Sequence, residues 1–299
     1  MKHLASFLLL IAATLVTNAD VRAAKPLTPK PFTVMSFNVR GDFDGGVATD
    51  KPTGWLRKDG AHRRELTLRL VREADPDLLG VQEAYRNQVR ELDAALPGHG
   101  FVGVGRDDGV EAGEHSAIYY RRDRFERVAD GTFWLSETPD EPSTFPGAAC
   151  PRVATWAVLR DRAAAGRELL VLNTHWDHVS EEARLHAAQL IRERLPTLGG
   201  DAPAIVMGDL NQTEETASIR RLVGDSDLLV DAYREVFPGR GPNERTYHDF
   251  RGGDEGSRID YVLHTSELRA TDAAIVRTSY TGRYPSDHYP VTATLEWKE

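Results

Sequence analysis

The feature that most constrains this chain is a set of apolar, strand-like runs that stop at acids, amides and imidazoles, groups that a structural turn does not require. Val34-Met35-Ser36-Phe37 stops at Asn38, and Leu78-Leu79-Gly80-Val81 stops at Gln82 and Glu83. Leu170-Val171-Leu172 leads into Asn173-Thr174-His175-Trp176-Asp177-His178, and Ala204-Ile205-Val206-Met207-Gly208 into Asp209-Leu210-Asn211. Asp209 and Asn211 are two apart, so extended backbone would point both to one side. Asp260 lies inside the apolar run Ile259 to Val262, which is costly unless the carboxylate is paired, with Arg258 for instance, or sits near a metal. Pro285-Ser286-Asp287-His288 sets an acid beside an imidazole, and a carboxylate so placed fixes the tautomer and raises the basicity of the ring. Ligands of a hard cation come from separate segments in this way.

Between these runs the alternation predicts strands over 32–39, 77–82, 101–104, 116–121, 153–159, 168–173, 204–207, 258–264 and 291–297. A Ser180 cap followed by Ala183, Ala187, Leu190, Ile191 and Leu195 at helical spacing predicts a helix that Pro196 ends. Arg63 to Arg72 predicts another, with Leu66, Leu70 and Val71 on one side and Asp75-Pro76 as its stop. Many strands broken by few helices suit two stacked sheets with flanking helices better than a regular βαβ alternation. The chain is 299 residues long, which one large domain can accommodate.

Lys2 and His3 precede an apolar run from Leu4 to Val16 and then small residues at Ala19, Ala23 and Ala24, the layout of a secretory signal. Residues 1–23 are therefore expected to be a signal peptide and 24–299 the mature domain, in the periplasm or secreted. No mature segment is apolar for long enough to cross a bilayer. Cys150 is the single cysteine, so no intramolecular disulfide can form, and a packed thiol is expected there. A net charge of −9 argues against a broad grip on nucleic acid, although a cation and a few arginines can reverse the potential inside one cleft.

Taken together and in this order, Ser36-Phe37-Asn38-Val39, Gln82-Glu83, Asn173-Thr174-His175, Gly208-Asp209-Leu210-Asn211, Arg258-Ile259-Asp260-Tyr261 and Ser286-Asp287-His288 resemble the endonuclease/exonuclease/phosphatase superfamily over nearly all of the mature chain. Val102 to Gly109 and Phe133 to Pro139 resemble an exported bacterial branch of it. The resemblance implies an α/β (α+β) fold: a four-layer, deoxyribonuclease I-like sandwich of two stacked mixed β-sheets flanked by helices, with the site at one edge. It implies a Mg²⁺ (or Mn²⁺) ion bound directly by Glu83, with Asn38 and Asp260 beside it. It further implies water activated by Asp209 or by His288, the latter oriented by Asp287, and phosphoryl oxygens held by His175 and Asn211. Arg152, His178 and Tyr119 are the candidates for substrate contact. Trp176, where such proteins often carry Leu, is expected to alter the site wall. The loop from Gly41 to Gly60, with Asp42, Asp44, Trp55 and Arg57, is the candidate for substrate selection, and Arg106 to His115 is the second.

The reaction expected is hydrolysis of a phosphate ester, on a phosphorylated small molecule, a lipid headgroup or nucleic acid. A monomer without a stable nucleic-acid complex is expected. A nuclease resembling a 3′–5′ exoribonuclease is the nearest alternative, and export with acidic charge favours the small substrate over it. A catalytically silent phospho-ligand binding protein is the alternative of another class, and such a role would not require Glu83, Asp209 and His288 together. A serine hydrolase is excluded because no Gly-x-Ser-x-Gly elbow occurs.

Overall fold

Period-two alternation decides the architecture, because each central strand sends one set of side chains to a shared core and the other set outward. The computed structural model describes residues 29–224 and 228–298, so the expected signal at 1–23 lies outside the described residues. One sheet contains β1 (Phe32–Asn38), β2 (Leu78–Ala84), β3 (His99–Val102), β4 (His115–Arg121), β11 (Leu268–Ile275) and β12 (Val291–Trp297), in the order β11-β12-β1-β2-β4-β3. The other contains β5 (Phe125–Trp134), β6 (Val153–Asp161), β7 (Arg167–His175), β8 (Ala204–Asp209), β9 (Val230–Asp231) and β10 (Asp260–His264), in the order β5-β6-β7-β8-β10-β9. Each sheet is antiparallel except for one central parallel pair, β1 with β2 and β7 with β8.

Val34, Leu78, Val171, Ile205, Met207 and Val262 meet between the sheets. Their sequence neighbours Met35, Leu79 and Val81 pack outward beneath α1 (Arg63–Ala74) and α2 (Arg86–Ala95). Leu170, Leu172, Val206 and Leu263 do the same beneath α3 (Glu181–Gly199) and α4 (Ala217–Val223). The result is the expected four-layer sandwich of two stacked mixed sheets flanked by helices.

One local reading needs correction, and β5, β11 and α2 were not named from the sequence. The α3 helix starts at the Ser180 cap, whose Oγ accepts from Ala183 N at 3.1 Å, but it runs through Pro196 to Gly199. One further turn is possible because the Pro196 carbonyl still accepts from Gly200 N at 3.0 Å. Strands β5 and β11 carry no clean alternation, since both lie at sheet edges with much of their length exposed. Helix α2 also escapes the usual start signal, because Tyr85 and Gln88 form its capping box.

Candidate active site

Both parallel pairs end at the same edge of the sandwich. Open sheets place their ligands outside the carboxyl ends of such strands. Asn38 ends β1, Glu83 lies near the end of β2, and His175 and Asp209 end β7 and β8. Asp260 opens β10 directly across from Asp209, and the β7–β8 register sets His175 beside Asp209. Arg40, Glu83 and Asn211 all adopt positive φ without being glycine, at 56°, 61° and 51°. Such strain costs on the order of 1–3 kcal/mol per residue and collects where function over-determines the backbone.

Asn38 is the bridge between the sheets. Its amide nitrogen donates to Glu83 Oε1 at 3.0 Å and to Asp209 Oδ2 at 2.9 Å, and its oxygen accepts from Arg40 N at 3.0 Å. Burial pushes the Glu83 carboxyl up, but the Arg40 guanidinium, the Asn38 amide and the Gly41 N–H outweigh it and hold it below its usual range. Arg40 stands between two acids, 3.5 Å from Glu83 Oε2 and 3.5 Å from Asp287 Oδ2.

His288 is held by Asp260, not by Asp287 as the sequence order suggested: its Nδ1 meets Asp260 Oδ2 at 2.9 Å and its Nε2 lies 3.7 Å from Asp209 Oδ2. Residues 285–287 form a bend, and Asp287 turns instead toward Arg40 and the Ser286 hydroxyl. Burial works against the imidazolium, but the Asp260 and Asp209 carboxylates outweigh it and hold His288 up to about 10. Asp209 itself is pushed up to about 7 by burial and by the charge of Asp260. Arg258 takes no part here and pairs with Asp231 at 2.6 Å.

The other wall is built around His175. Burial first, then the positive charges of Arg152 and Arg106, hold its imidazole well below the usual range, so it is neutral. Asn211 Nδ2 lies 3.0 Å from His175 Nε2 and also donates to the Trp176 carbonyl at 3.0 Å. With Nε2 accepting, the ring hydrogen sits on Nδ1, which is buried and has no partner. Asn211 therefore braces His175 through a turn in which its own N–H caps Asp209 Oδ1 at 3.0 Å, and the same-side strand geometry expected from sequence is not what joins them. Arg152 shares Nη2 with His178 Nδ1 at 2.9 Å; its Nε and Nη1 are buried without a hydrogen bond, Nε lying 3.7 Å from the Asp177 carboxylate.

These groups enclose a cleft of about 360 Å³. Of the sequence candidates it gathers Glu83, Arg152, His175, His178, Asp209, Asn211 and His288 at its surface, with Asn38, Asp260 and Asp287 supporting them. Tyr119 is not there: it is buried on the outward face of β4 with its hydroxyl on the Val89 carbonyl. Trp176 is likewise in the core beneath α3, not in the wall. Asp42 is a loop staple, accepting from Gly46 N and Asn87 Nδ2 at 2.7 and 2.8 Å. Arg40, Phe43, Arg106, Glu114 and Tyr247 also line the cleft. Phe43 falls in the Gly41–Gly60 loop and Arg106 and Glu114 in the Arg106–His115 stretch that the sequence singled out, whereas Arg40 and Tyr247 were missed; of these two only Arg40, two residues past Asn38, carried a positional signal. A larger hollow of about 470 Å³ runs beside Arg167, Trp297 and Lys298 and shares no residue with this cleft.

The donor set fits a divalent cation. Asp209, Asp260 and His288 each offer an atom within 4.8 Å of the others. His288, however, is already held between the Asp260 and Asp209 carboxylates, which leaves Glu83 and Asp287, the acids on either side of the half-exposed Arg40, for the cation. Hard cations favour such oxygen donors.

Two mixed sheets packed face to face, with acids and imidazoles at the ends of their parallel strands, define the deoxyribonuclease I-like class of fold. The sequence profile of the Endonuclease/Exonuclease/phosphatase family matches residues 35–288, and the chain belongs to that family, whose members hydrolyse phosphoester bonds. A family protein from Bacteroides thetaiotaomicron is 32% identical, with 91% of this chain and 99% of that one covered at a TM-score of 0.79. A mannosyl-6-phosphatase of Bacteroides thetaiotaomicron VPI-5482 is also 32% identical, with 89% and 100% covered at 0.78. The catalytic domain of human nocturnin, solved with sulfate, shares the fold at 20% identity and a TM-score of 0.68, over 90% and 94% of the two chains. No curated protein matches the chain.

Proposed function

We propose that the protein is an exported phosphatase that removes the phosphate of a small sugar phosphate, using Mg²⁺ or Mn²⁺. The observation that carries the chemistry is the Asp209–Asp260–His288 arrangement facing His175 and Arg152 across one cleft. The mannosyl-6-phosphatase, similar over nearly its whole length, supports the substrate class. The net charge of −9 weighs against a nucleic-acid substrate.

Asp209, held at about 7, is suited to take the proton from the attacking water at neutral pH. His288 is too basic for that task and serves as a fixed positive charge beside the phosphoryl group. The unpartnered Nδ1–H of His175 and the free Nη1 of Arg152 are donors for its oxygens. Glu83 and Asp287 would hold the cation, which supplies a Lewis acid that offsets charge on the departing oxygen.

The test is phosphate release by the protein from sugar phosphates, nucleotides, inositol phosphates, phospholipids, DNA and RNA, each with and without chelator. Release from sugar phosphates that stops with chelator and returns with Mg²⁺ is expected. Release that ignores chelator, or that is fastest on nucleic acid, would refute the proposal.

A further inference from the structure

Three large aromatic side chains are exposed among the described residues, Phe43, Phe237 and Tyr247, and two of the three border the catalytic cleft. Phe43 is 55% exposed and Tyr247 45%. Leaving an aromatic ring wet forgoes burial that the fold has taken at nearly every other such position, so the pairing at one opening calls for a ligand.

Neither ring is loose. Asp42 pins the backbone next to Phe43, since its N–H donates to Gln88 Oε1 at 2.8 Å while its carboxylate accepts from Gly46 and Asn87. The Phe43 ring meets Tyr85 edge-on at 5.7 Å and lies 4.8 Å from the Arg40 guanidinium. Tyr247 follows Thr246, whose Oγ1 accepts from Ile259 N at 3.0 Å and whose carbonyl accepts from Tyr289 N at 2.8 Å. Its ring centroid is 5.1 Å from that of His288. Both rings are therefore preorganised, one against Arg40 and the other against His288, at the side where Glu83 and Asp287 lie. Preorganised rings lose little entropy on binding.

The same cleft is also lined by the ionic side chains of Arg106, Glu114 and Arg152 and by His178. A ligand lying here must offer an apolar face to the rings and a hydroxyl-rich edge to the charges. A pyranose has both, since the axial C–H bonds of one face stack on aromatic rings while its hydroxyls reach the rim. A nucleobase has the flat face but few hydroxyls.

We infer that Phe43 and Tyr247 form a subsite for the sugar ring of a pyranose phosphate, setting which phosphate esters the cleft accepts. This rests on the sugar-phosphatase reading above and assigns the selectivity to two residues. The test compares kcat/KM for a hexose 6-phosphate with that for glycerol 3-phosphate, which has no ring, in the wild type, Phe43→Ala, Phe43→Trp and Tyr247→Ala. Each alanine variant should lower the ratio by about three- to tenfold, the equivalent of one lost aromatic contact, mainly through KM for the hexose ester. Phe43→Trp should restore it. Taking the ratio removes any disturbance of Arg40 or His288, which would affect both esters alike. A ratio unchanged in both alanine variants, with the wild type still active on hexose phosphate, overturns the subsite and leaves the phosphatase reading standing. A wild type that hydrolyses glycerol 3-phosphate but no hexose phosphate, or whose Phe43 dependence is larger for a nucleoside monophosphate, overturns both.

Discussion

At the scale of the residue, the charges on Asp209 and His288 govern what the site can do. Asp209→Asn and His288→Ala should each lower kcat/KM by about a hundredfold or more while leaving the far-ultraviolet circular dichroism unchanged. A steady-state assay giving near-normal rates for either would remove it from the chemistry. Glu83→Gln should instead move the Mg²⁺ titration to higher concentration, and an unshifted titration would exclude Glu83 as a ligand. The raised carboxyl of Asp209 also has a consequence for stability. A folded-state value above the unfolded one favours the protonated fold, so its contribution is full below about pH 4 and is lost as pH rises through about 7. The imidazoles of His115, His175 and His248, held below their usual range, act in the opposite sense over the same window, so the contribution is read by difference. In chelator, the melting temperature of the wild type minus that of Asp209→Asn should fall from pH 5 to pH 8, and a difference that stays level or rises would contradict the assignment.

At the scale of the element, the turn from β7 into α3 ties the cleft wall to a helix start. Asp177 accepts from the N–H groups of Ala149, Val179 and Ser180 at 2.8 to 2.9 Å, and it faces Arg152 Nε at 3.7 Å. One carboxylate thus prepares the Ser180 cap and neutralises the arginine that offers free donors to the cleft. Ser180→Ala should cost about 1 kcal/mol in urea unfolding with little change in rate. Asp177→Ala should cost about 2–3 kcal/mol, because three backbone donors lose their acceptor and a buried guanidinium its counter-charge, and it should also raise KM. Equal effects of the two variants on KM would show that Arg152 does not depend on Asp177.

At the scale of the whole molecule, the site exists only because two sheets close on each other, and Gly80 sets how near they come. Asn173 of β7 reaches across to the carbonyls of Val81 and Ala117 at 2.9 and 2.8 Å, and Gln82 donates to its oxygen at 2.7 Å. A Cβ on Gly80 would stand 2.7 Å from that oxygen. Gly80→Ala should thus part the sheets beside the Asn38 to Asp209 hydrogen bond, costing about 1–3 kcal/mol and lowering kcat without touching a catalytic group. A Gly80→Ala protein with wild-type melting temperature and turnover would show that the spacing has slack.

The sequence by itself determined the sandwich and named most of the polar groups that meet in the cleft. Alternation of apolar residues is a local property, and it tells each strand which side is core. Polar groups at strand ends are equally local, so Glu83, His175, Asp209 and His288 could be named before their meeting was known. Partnership was decided only in three dimensions. Which acid holds His288, whether Asn211 points at substrate or braces a ring, and that Tyr119 faces away from the cleft all depend on register and on a few left-handed residues. Phe43, Glu114 and Tyr247 lay in segments without periodicity, and only the closing of the loops brought them to the cleft. The physical reason is that a strand's own pattern fixes its faces, whereas distances between groups from separate strands are set by packing across the sheets.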